Sequence, residues 1–185
     1  LECANLIITN SKMESEEMSK VLCIDKKKFR EVYNGYGSEF VQGFNAEIFR
    51  KQYQIENYIL CLGNIEPRKN QLNLVNALKN TEHKLILAGH IRDESYAKEV
   101  FRGMNQNMKY IGNLPRGEML LSAIGGANAL CLPSKLETPG LAALEAYALG
   151  VPVVVTNVGS AKEYFGDDVE YVDPDSLQSI RDGVE

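Results

Sequence analysis

Two glutamates and two adjacent cations carry most of the chemistry this sequence could perform. The stretch Pro133-Ser134-Lys135-Leu136-Glu137-Thr138-Pro139-Gly140-Leu141 leads into LAALEAYAL, which is apolar almost throughout except for Glu145. Pro139 suits the first position of a helix there, and Gly140 leaves room for a ligand at free backbone N–H groups. A carboxylate at Glu145 in so apolar a helix is costly to bury without hydrogen-bonding partners. A core salt bridge would supply them, and so would a pair of ligand hydroxyls such as a ribose diol. Glu137 lies in the loop ahead of the same helix, so the two carboxylates flank a potential anion site.

A second loop reads Gly63-Asn64-Ile65-Glu66-Pro67-Arg68-Lys69-Asn70. Gly63 permits a tight turn or a close backbone approach. Arg68 and Lys69 stand near the start of a helical pattern, where the helix dipole favours acids over bases. Two cations fit there if an anion, phosphate above all, shares the site. The alternative is a pair of solvated surface cations. The loop is not a P-loop, since the G-x-x-x-x-G-K-[ST] spacing is absent.

The elements that must position these loops follow from the apolar pattern. Apolar runs at 58–63, 84–89, 109–112, 128–133, 151–156 and 170–172 alternate with helical patterns around 72–78, 93–104, 119–124, 139–149 and 160–165. Such alternation predicts an α/β fold, a Rossmann-like doubly wound parallel sheet with helices on both faces. Ligands in these sheets bind beyond the carboxyl ends of the strands. That points to the loops 63–70, 89–93, 112–116 and 133–140. Upstream, residues 5–9 form a strand, and Ser11 with Glu14 makes a capping box for a helix to about residue 22. Residues 29–33 are extended, 34–37 form a turn or hinge, and 38–55 show little periodicity and read as a connector.

Composition narrows the field further. With 185 residues, 44% hydrophobic and 24% charged, the chain suits one domain, or one domain plus a piece of another. A formal charge of −5 argues against a general nucleic-acid surface while leaving room for a local basic site. No apolar run approaches the roughly 18 residues of a membrane-spanning helix. The cysteines at 3, 23, 61 and 131 form no C-x-x-C pair, which disfavours zinc or a disulfide framework and fits a reducing compartment. The chain starts in a strand-like stretch with neither an initiator Met nor a signal peptide, and reads as a piece of a longer protein.

The segment ETPGLAALEAYALGVPVVVTNVGSAKEYFG strongly resembles the E-x7-E signature of nucleotide-sugar glycosyltransferases with the two-domain GT-B fold. The resemblance is to the retaining class called glycosyltransferase family 4, or group 1, and to its C-terminal nucleotide-sugar-binding domain. GNIEPRKNQLNLVNAL is similar to that family's diphosphate-binding loop, KYIGNLPRGEML to its base-proximal segment, and LIITNSKMESEEM and VYNGY to its approach to the domain junction. It implies that residues 1–40 are the tail of an N-terminal acceptor domain and hinge, 41–56 a connector, and 57–185 the donor domain.

By the same resemblance, Arg68 and Lys69 would face the donor diphosphate and stabilise the leaving nucleotide, within a donor-binding set that includes Gly63 and Asn64. Amides around Pro139, Gly140 and Leu141 would hold phosphate or sugar. Glu137 would contact sugar hydroxyls near the reacting carbon, Glu145 the ribose hydroxyls, and Ile111 the base through its backbone. Two departures stand out. Many members carry Arg where this chain has Asn64, which leaves Arg68 as a substitute cation. Many have Gly-Phe where it has Thr138-Pro139, which leaves the sugar pocket's specificity open.

The implied reaction moves a sugar from a UDP- or GDP-sugar to a carbohydrate or lipid-linked acceptor, with retention, in polysaccharide or glycolipid synthesis. It implies no metal and no cofactor, and a cytoplasmic protein, at most peripheral to the inner face of the membrane. Without the N-terminal domain the chain is expected to be inactive. The alternative is a nucleotide-sugar-binding module without transferase activity; a flavin or signalling domain would leave the paired glutamates unexplained. The D-x-D spacing at Asp173 and Asp175 reads as a turn with Asp175 or Ser176 capping the last helix. His90, alone at a strand end, reads as pocket rim or surface, Gly125-Gly126 as a helix C-cap, and Lys26 to Lys28 as a solvated turn.

Overall fold

Continuous apolar runs become strands buried on both faces when helices cover each side of their sheet. The computed structural model describes residues 3–185. In chain order, β1 (Ile7–Thr9), α1 (Lys12–Leu22), β2 (Phe29–Glu31) and α2 (Glu47–Tyr53) come first. An alternating series follows: β3 (Tyr58–Leu62), α3 (Gln71–Leu78), β4 (Lys84–Ala88), α4 (Glu94–Gly103), β5 (Met108–Tyr110) and α5 (Glu118–Gly125). It continues through β6 (Ala129–Leu132), α6 (Leu141–Ala148), β7 (Val153–Thr156), α7 (Ala161–Phe165), β8 (Glu170–Val172) and α8 (Leu177–Val184).

Six of these strands form one parallel sheet in the order β5-β4-β3-β6-β7-β8. Counted from β3, this is the doubly wound order whose direction reverses between β3 and β6. Leu60, Leu85, Leu87, Leu130, Cys131 and Val155 are fully buried along its centre. Helices α4 and α8 pack on α3, while α2 and α6 pack on α5, giving a helical layer on each side.

The stretch expected to be a connector holds structure of its own. Ser38–Val41 is a 3-10 turn, and α2 docks on the body because Phe49, only 1% exposed, packs between the rings of Tyr53 and Tyr58. Its backbone N–H also donates to the Ser122 hydroxyl at 2.8 Å. A helix of seven residues completes too few turns to display a periodic face. The helix expected from 139 begins at Leu141, with Gly140 as its N-cap at a φ of 86°. That left-handed turn ends the loop one residue later than Pro139, so the proline lies outside the helix.

The first strands are shorter than expected and pair with each other as a separate two-stranded parallel sheet. Ser11 caps α1, accepting from the Glu14 N–H at 3.0 Å, but the Glu14 carboxylate reaches back to the N–H of Asn10 rather than that of Ser11. The Glu163 carboxylate on α7 accepts from the first-turn N–H groups of Lys12 and Met13, each at 2.8 Å, and from the Tyr33 hydroxyl at 3.1 Å. An acid at a helix N-terminus satisfies its orphan donors and its dipole together. The small sheet and the large one are joined through that contact.

Gly159 and Gly89 are the tightest points of the fold near the strand ends, and Gly159 is the one that touches Glu137. Its φ is 115°, and a Cβ there would lie 2.0 Å from the Glu137 carbonyl oxygen. Gly159→Ala is therefore expected to destabilise the chain by more than about 2 kcal/mol, whereas Gly150→Ala costs about 1 kcal/mol of left-handed strain alone. Gly150 has a φ of 73° and nothing within 4 Å of an added Cβ. Urea unfolding of the two variants checks this, and equal losses would contradict it.

Candidate functional site

Beyond the carboxyl ends of β3, β5 and β6, where the strand order reverses, lies a cleft of about 620 Å³. Gly63, Asn64, Arg68 and Lys69 border it from the loop after β3, and Arg116 from the loop after β5. Glu137, Thr138, Gly140, Leu141 and Ala142 complete it from the loop after β6 and the start of α6.

Asn70 ties these loops together. It sits in the left-handed conformation at a φ of 60°, and its buried side-chain amide donates to the carbonyls of Pro133 and Pro174, both at 2.8 Å. The Lys135 N–H donates to the Arg68 carbonyl at 2.8 Å, so the two site-bearing loops share a backbone bond as well. Glu137 is gripped along its main chain by the loop after β7: its N–H donates to Val158 at 3.1 Å, and its carbonyl accepts from Ser160 at 3.0 Å.

At the centre stands a buried ion pair. Lys69 Nζ donates to Glu137 Oε1 at 2.5 Å, and the Ser134 hydroxyl donates to the same oxygen at 2.6 Å. The Glu137 side chain is 4% exposed and that of Lys69 15%. The other carboxylate oxygen faces Gly140, where an added Cβ would lie 3.3 Å from it. The first-turn N–H groups of α6 open beside it, and such groups suit an anion. Arg68 is more exposed; its guanidinium donates to Glu66 Oε1 at 3.0 Å and to the Leu136 carbonyl at 3.2 Å. Both Arg68 and Lys69 belong to a short 3-10 turn ahead of α3, which first becomes helical at Gln71.

The structure thus brings Gly63, Asn64, Arg68, Lys69, Glu137, Gly140 and Leu141 to one cleft. Three expected residues do not line its wall. Pro139 is buried beneath the loop. Ile111 is half-buried at the end of β5, its N–H donating to Leu87 at 3.1 Å. Glu145 lies one turn further along α6, half-buried; burial pushes its carboxyl above the usual range, Arg116 works against that rise, and Glu39 adds to it.

Sequence reasoning passed over Asn70, Ser134 and Arg116. Arg116 stands at the end of a loop that the strand pattern had marked. Nothing in the local sequence distinguishes Asn70 or Ser134 from ordinary loop residues. The loop 89–93 only braces the site: His90 is exposed, and its carbonyl accepts from the Ile65 N–H at 2.8 Å. Asp175 pairs with Lys135 and Asp173 caps its own turn, while Ser176 caps α8 by accepting from the Ser179 N–H at 3.1 Å. Gly126 is the C-cap of α5. Burial pushes the Cys61 thiol up to about 12, which keeps it protonated and inert at neutral pH. Among the described residues, no helix is long and apolar enough to cross a membrane.

A doubly wound parallel sheet with a charged cleft at its switch point defines the Rossmann-like class of α/β domains. More narrowly, the chain belongs to the Glycosyl transferases group 1 family, which it matches over residues 45–185. The O-antigen chain mannosyltransferase B of Escherichia coli is 30% identical over 193 residues, which takes in 97% of this chain and 50% of that protein. A GDP-mannose-dependent phosphatidylinositol monomannoside mannosyltransferase of Corynebacterium glutamicum is 29% identical over 117 residues, covering 57% of this chain and 30% of that one. HepE of Anabaena, solved in complex with UDP and glucose, superposes with a TM-score of 0.84 at 20% identity over 96% of this chain and 52% of that one. The fold is that of GT-B glycosyltransferase structures, and the chain spans about half the length of the first of these relatives.

Two outcomes follow from the site's electrostatics. Removing one member of a buried ion pair strands the other, so Lys69→Met should cost about 2–4 kcal/mol. The double variant with Glu137→Gln should lose less than the sum of the single variants, a coupling that chemical denaturation measures directly. For Glu145, the folded-state carboxyl titrates above its ordinary 4.5, so holding it ionised in the fold opposes stability at neutral pH. Glu145→Gln should raise the melting temperature at pH 7 by roughly 1–3 °C, a small gain because the group is half exposed. That gain should fade as the pH falls through the raised value toward 4.5, which melts across the range would show.

Proposed function

We propose that this chain is the donor-binding half of a retaining glycosyltransferase, moving a hexose from a nucleoside-diphosphate sugar to an acceptor hydroxyl. The observation that carries the reading is the Lys69–Glu137 pair beside the α6 N-terminus, within a cleft at the sheet's switch point. Membership of the family and the transferase names of the relatives support it.

In this reading the bond between the anomeric carbon and the β-phosphate oxygen breaks, and its electron pair stays on the departing diphosphate. The acceptor oxygen bonds to the same face of that carbon, and its proton passes to the leaving phosphate oxygen. Negative charge grows on the diphosphate, so fixed cations and helix N–H groups lower the barrier. Lys69 meets that charge while held by Glu137, the amides of Gly140 and Leu141 face phosphate or sugar, and Glu137 Oε2 accepts from a sugar hydroxyl. Glu145 has no ion pair among the described residues, which favours ribose hydroxyls over a core salt bridge as its partners.

Ile111 then borders the base through its backbone, and Arg68 lies at the outer rim. Residues up to about 40 belong with an acceptor domain elsewhere in the full protein, which binds a carbohydrate or lipid-linked acceptor for polysaccharide or glycolipid synthesis on the cytoplasmic side. No metal or cofactor enters this reading. The donor is a GDP- or UDP-sugar, in keeping with the GDP-mannose dependence of one relative and the UDP in HepE.

Calorimetric titration with UDP, GDP and ADP tests it. One of them should bind in the micromolar to low-millimolar range, and Lys69→Ala and Glu145→Ala should each weaken it about tenfold. An equal, negligible response to all three would sink donor binding. The chain alone should turn over no sugar, and measured transfer to an acceptor would overturn the division of labour between the two halves.

A further inference from the structure

We propose that Arg116, on the loop between β5 and α5, is the cation that grips the donor's phosphate next to the ribose. This deepens the donor-binding reading and rests on it.

Most of the positive charge around the cleft is already committed. Three cations border the cleft: Arg68, Lys69 and Arg116. Lys69 is matched by Glu137 at 2.5 Å, so the pair adds little net field for an incoming anion. Arg68 is committed twice, to the Glu66 carboxylate at 3.0 Å and to the Leu136 carbonyl at 3.2 Å. Arg116 has no hydrogen bond or ion pair among the described residues, and its side chain is exposed at the cleft. A diphosphate brings at least two negative charges, and the cleft has one cation left uncommitted to meet them. Asn64, on the opposite loop, offers an amide and no charge.

Placement agrees with charge. The loop carrying Arg116 ends at Gly117, whose φ of 99° turns the chain sharply into α5, leaving Arg116 over the cleft instead of on the helix. Arg116 acts electrostatically on Glu145, the group assigned to the ribose. The phosphate nearest the ribose therefore falls beside Arg116, while Lys69 and the α6 amides lie toward the sugar end with Glu137. A guanidinium can meet a phosphate with two parallel hydrogen bonds, a geometry an ammonium cannot reproduce.

The test compares Arg116→Gln, Arg116→Lys and Arg68→Gln in the 185-residue chain. Affinities for GDP and UDP come from calorimetry, those for guanosine and uridine from NMR, and melting curves confirm folding. Arg116→Gln should weaken the diphosphate that binds wild type by about tenfold or more and leave the matching nucleoside within about twofold. Arg116→Lys should recover part of the loss, Arg68→Gln should cost less than about threefold, and the salt dependence of binding should flatten in Arg116→Gln. Diphosphate affinity unchanged in Arg116→Gln, or a larger loss in Arg68→Gln, overturns the assignment while leaving donor binding intact. An equal loss of nucleoside and diphosphate also overturns it, as a structural effect. Wild type binding neither diphosphate overturns the donor-binding reading itself.

Discussion

The contact between the Lys69 ammonium and the Glu137 carboxylate sets the terms for everything around it. Taking both charges out of water costs several kcal/mol apiece, and their attraction offsets this only when the geometry is good and the remaining polar atoms are bonded. Here the Ser134 hydroxyl adds a second donor to the same carboxylate oxygen. The pair joins residues 68 positions apart, one on the loop after β3 and one on the loop after β6. These loops rise from the two strands between which the sheet reverses direction. The ion pair thereby fixes the width of the crevice that a doubly wound sheet leaves open.

Such a pair can stay formed only if the loops carrying it cannot drift. Five other hydrogen bonds see to that. Asn70 holds the loop after β6 and the loop after β8 by its side-chain amide, and the Lys135 N–H ties the loop after β6 to Arg68. The loop after β7 binds both the N–H and the carbonyl of Glu137, and it comes so close that position 159 has no room for a Cβ. The site is therefore built by strand ends acting on one another, with the helices serving to bury the sheet. A paired centre is also nearly neutral, so Lys69 alone would not balance an anionic ligand, and helix N–H groups and cations outside the pair would have to add to it.

The sequence disclosed its sheet because strands covered on both faces are written as unbroken apolar runs, such as YILCL and ALCL. The two site-bearing loops could be found for the same reason, as the polar gaps after those runs. Glu145 stood out because a carboxylate is rare in so apolar a helix, and Glu137 because it lies in the loop just ahead of that helix. What stayed hidden depends on contacts distant in the chain. Helix α2 is held by Phe49 in an aromatic cluster with Tyr58, which its own short sequence cannot announce. Asn70 looks like a loop asparagine until its carbonyl partners at positions 133 and 174 are in place. The spent charge of Arg68 and the unspent charge of Arg116 are likewise invisible in one dimension, where both are single arginines in polar loops.

The grip on Glu137 reaches the small N-terminal sheet as well. The loop that brackets Glu137 runs directly into α7, and α7 supplies both Glu163, which satisfies the first turn of α1, and Tyr164, which bonds the Asn10 carbonyl and meets the Tyr33 ring edge-on. On the other side, the Asn10 side-chain amide donates to the Thr138 carbonyl at 3.3 Å, one residue beyond Glu137. Residues 10–13 thus touch the chain on both sides of the carboxylate's anchor. A displacement of α1 relative to the large sheet must either break the Glu163 contacts, exposing helix N–H groups that water then has to satisfy, or carry α7 with it. In the second case it pulls on Gly159, where the backbone has no slack, and so on Glu137. The tightness of that one glycine turns two neighbouring sheets into parts of the same mechanical unit.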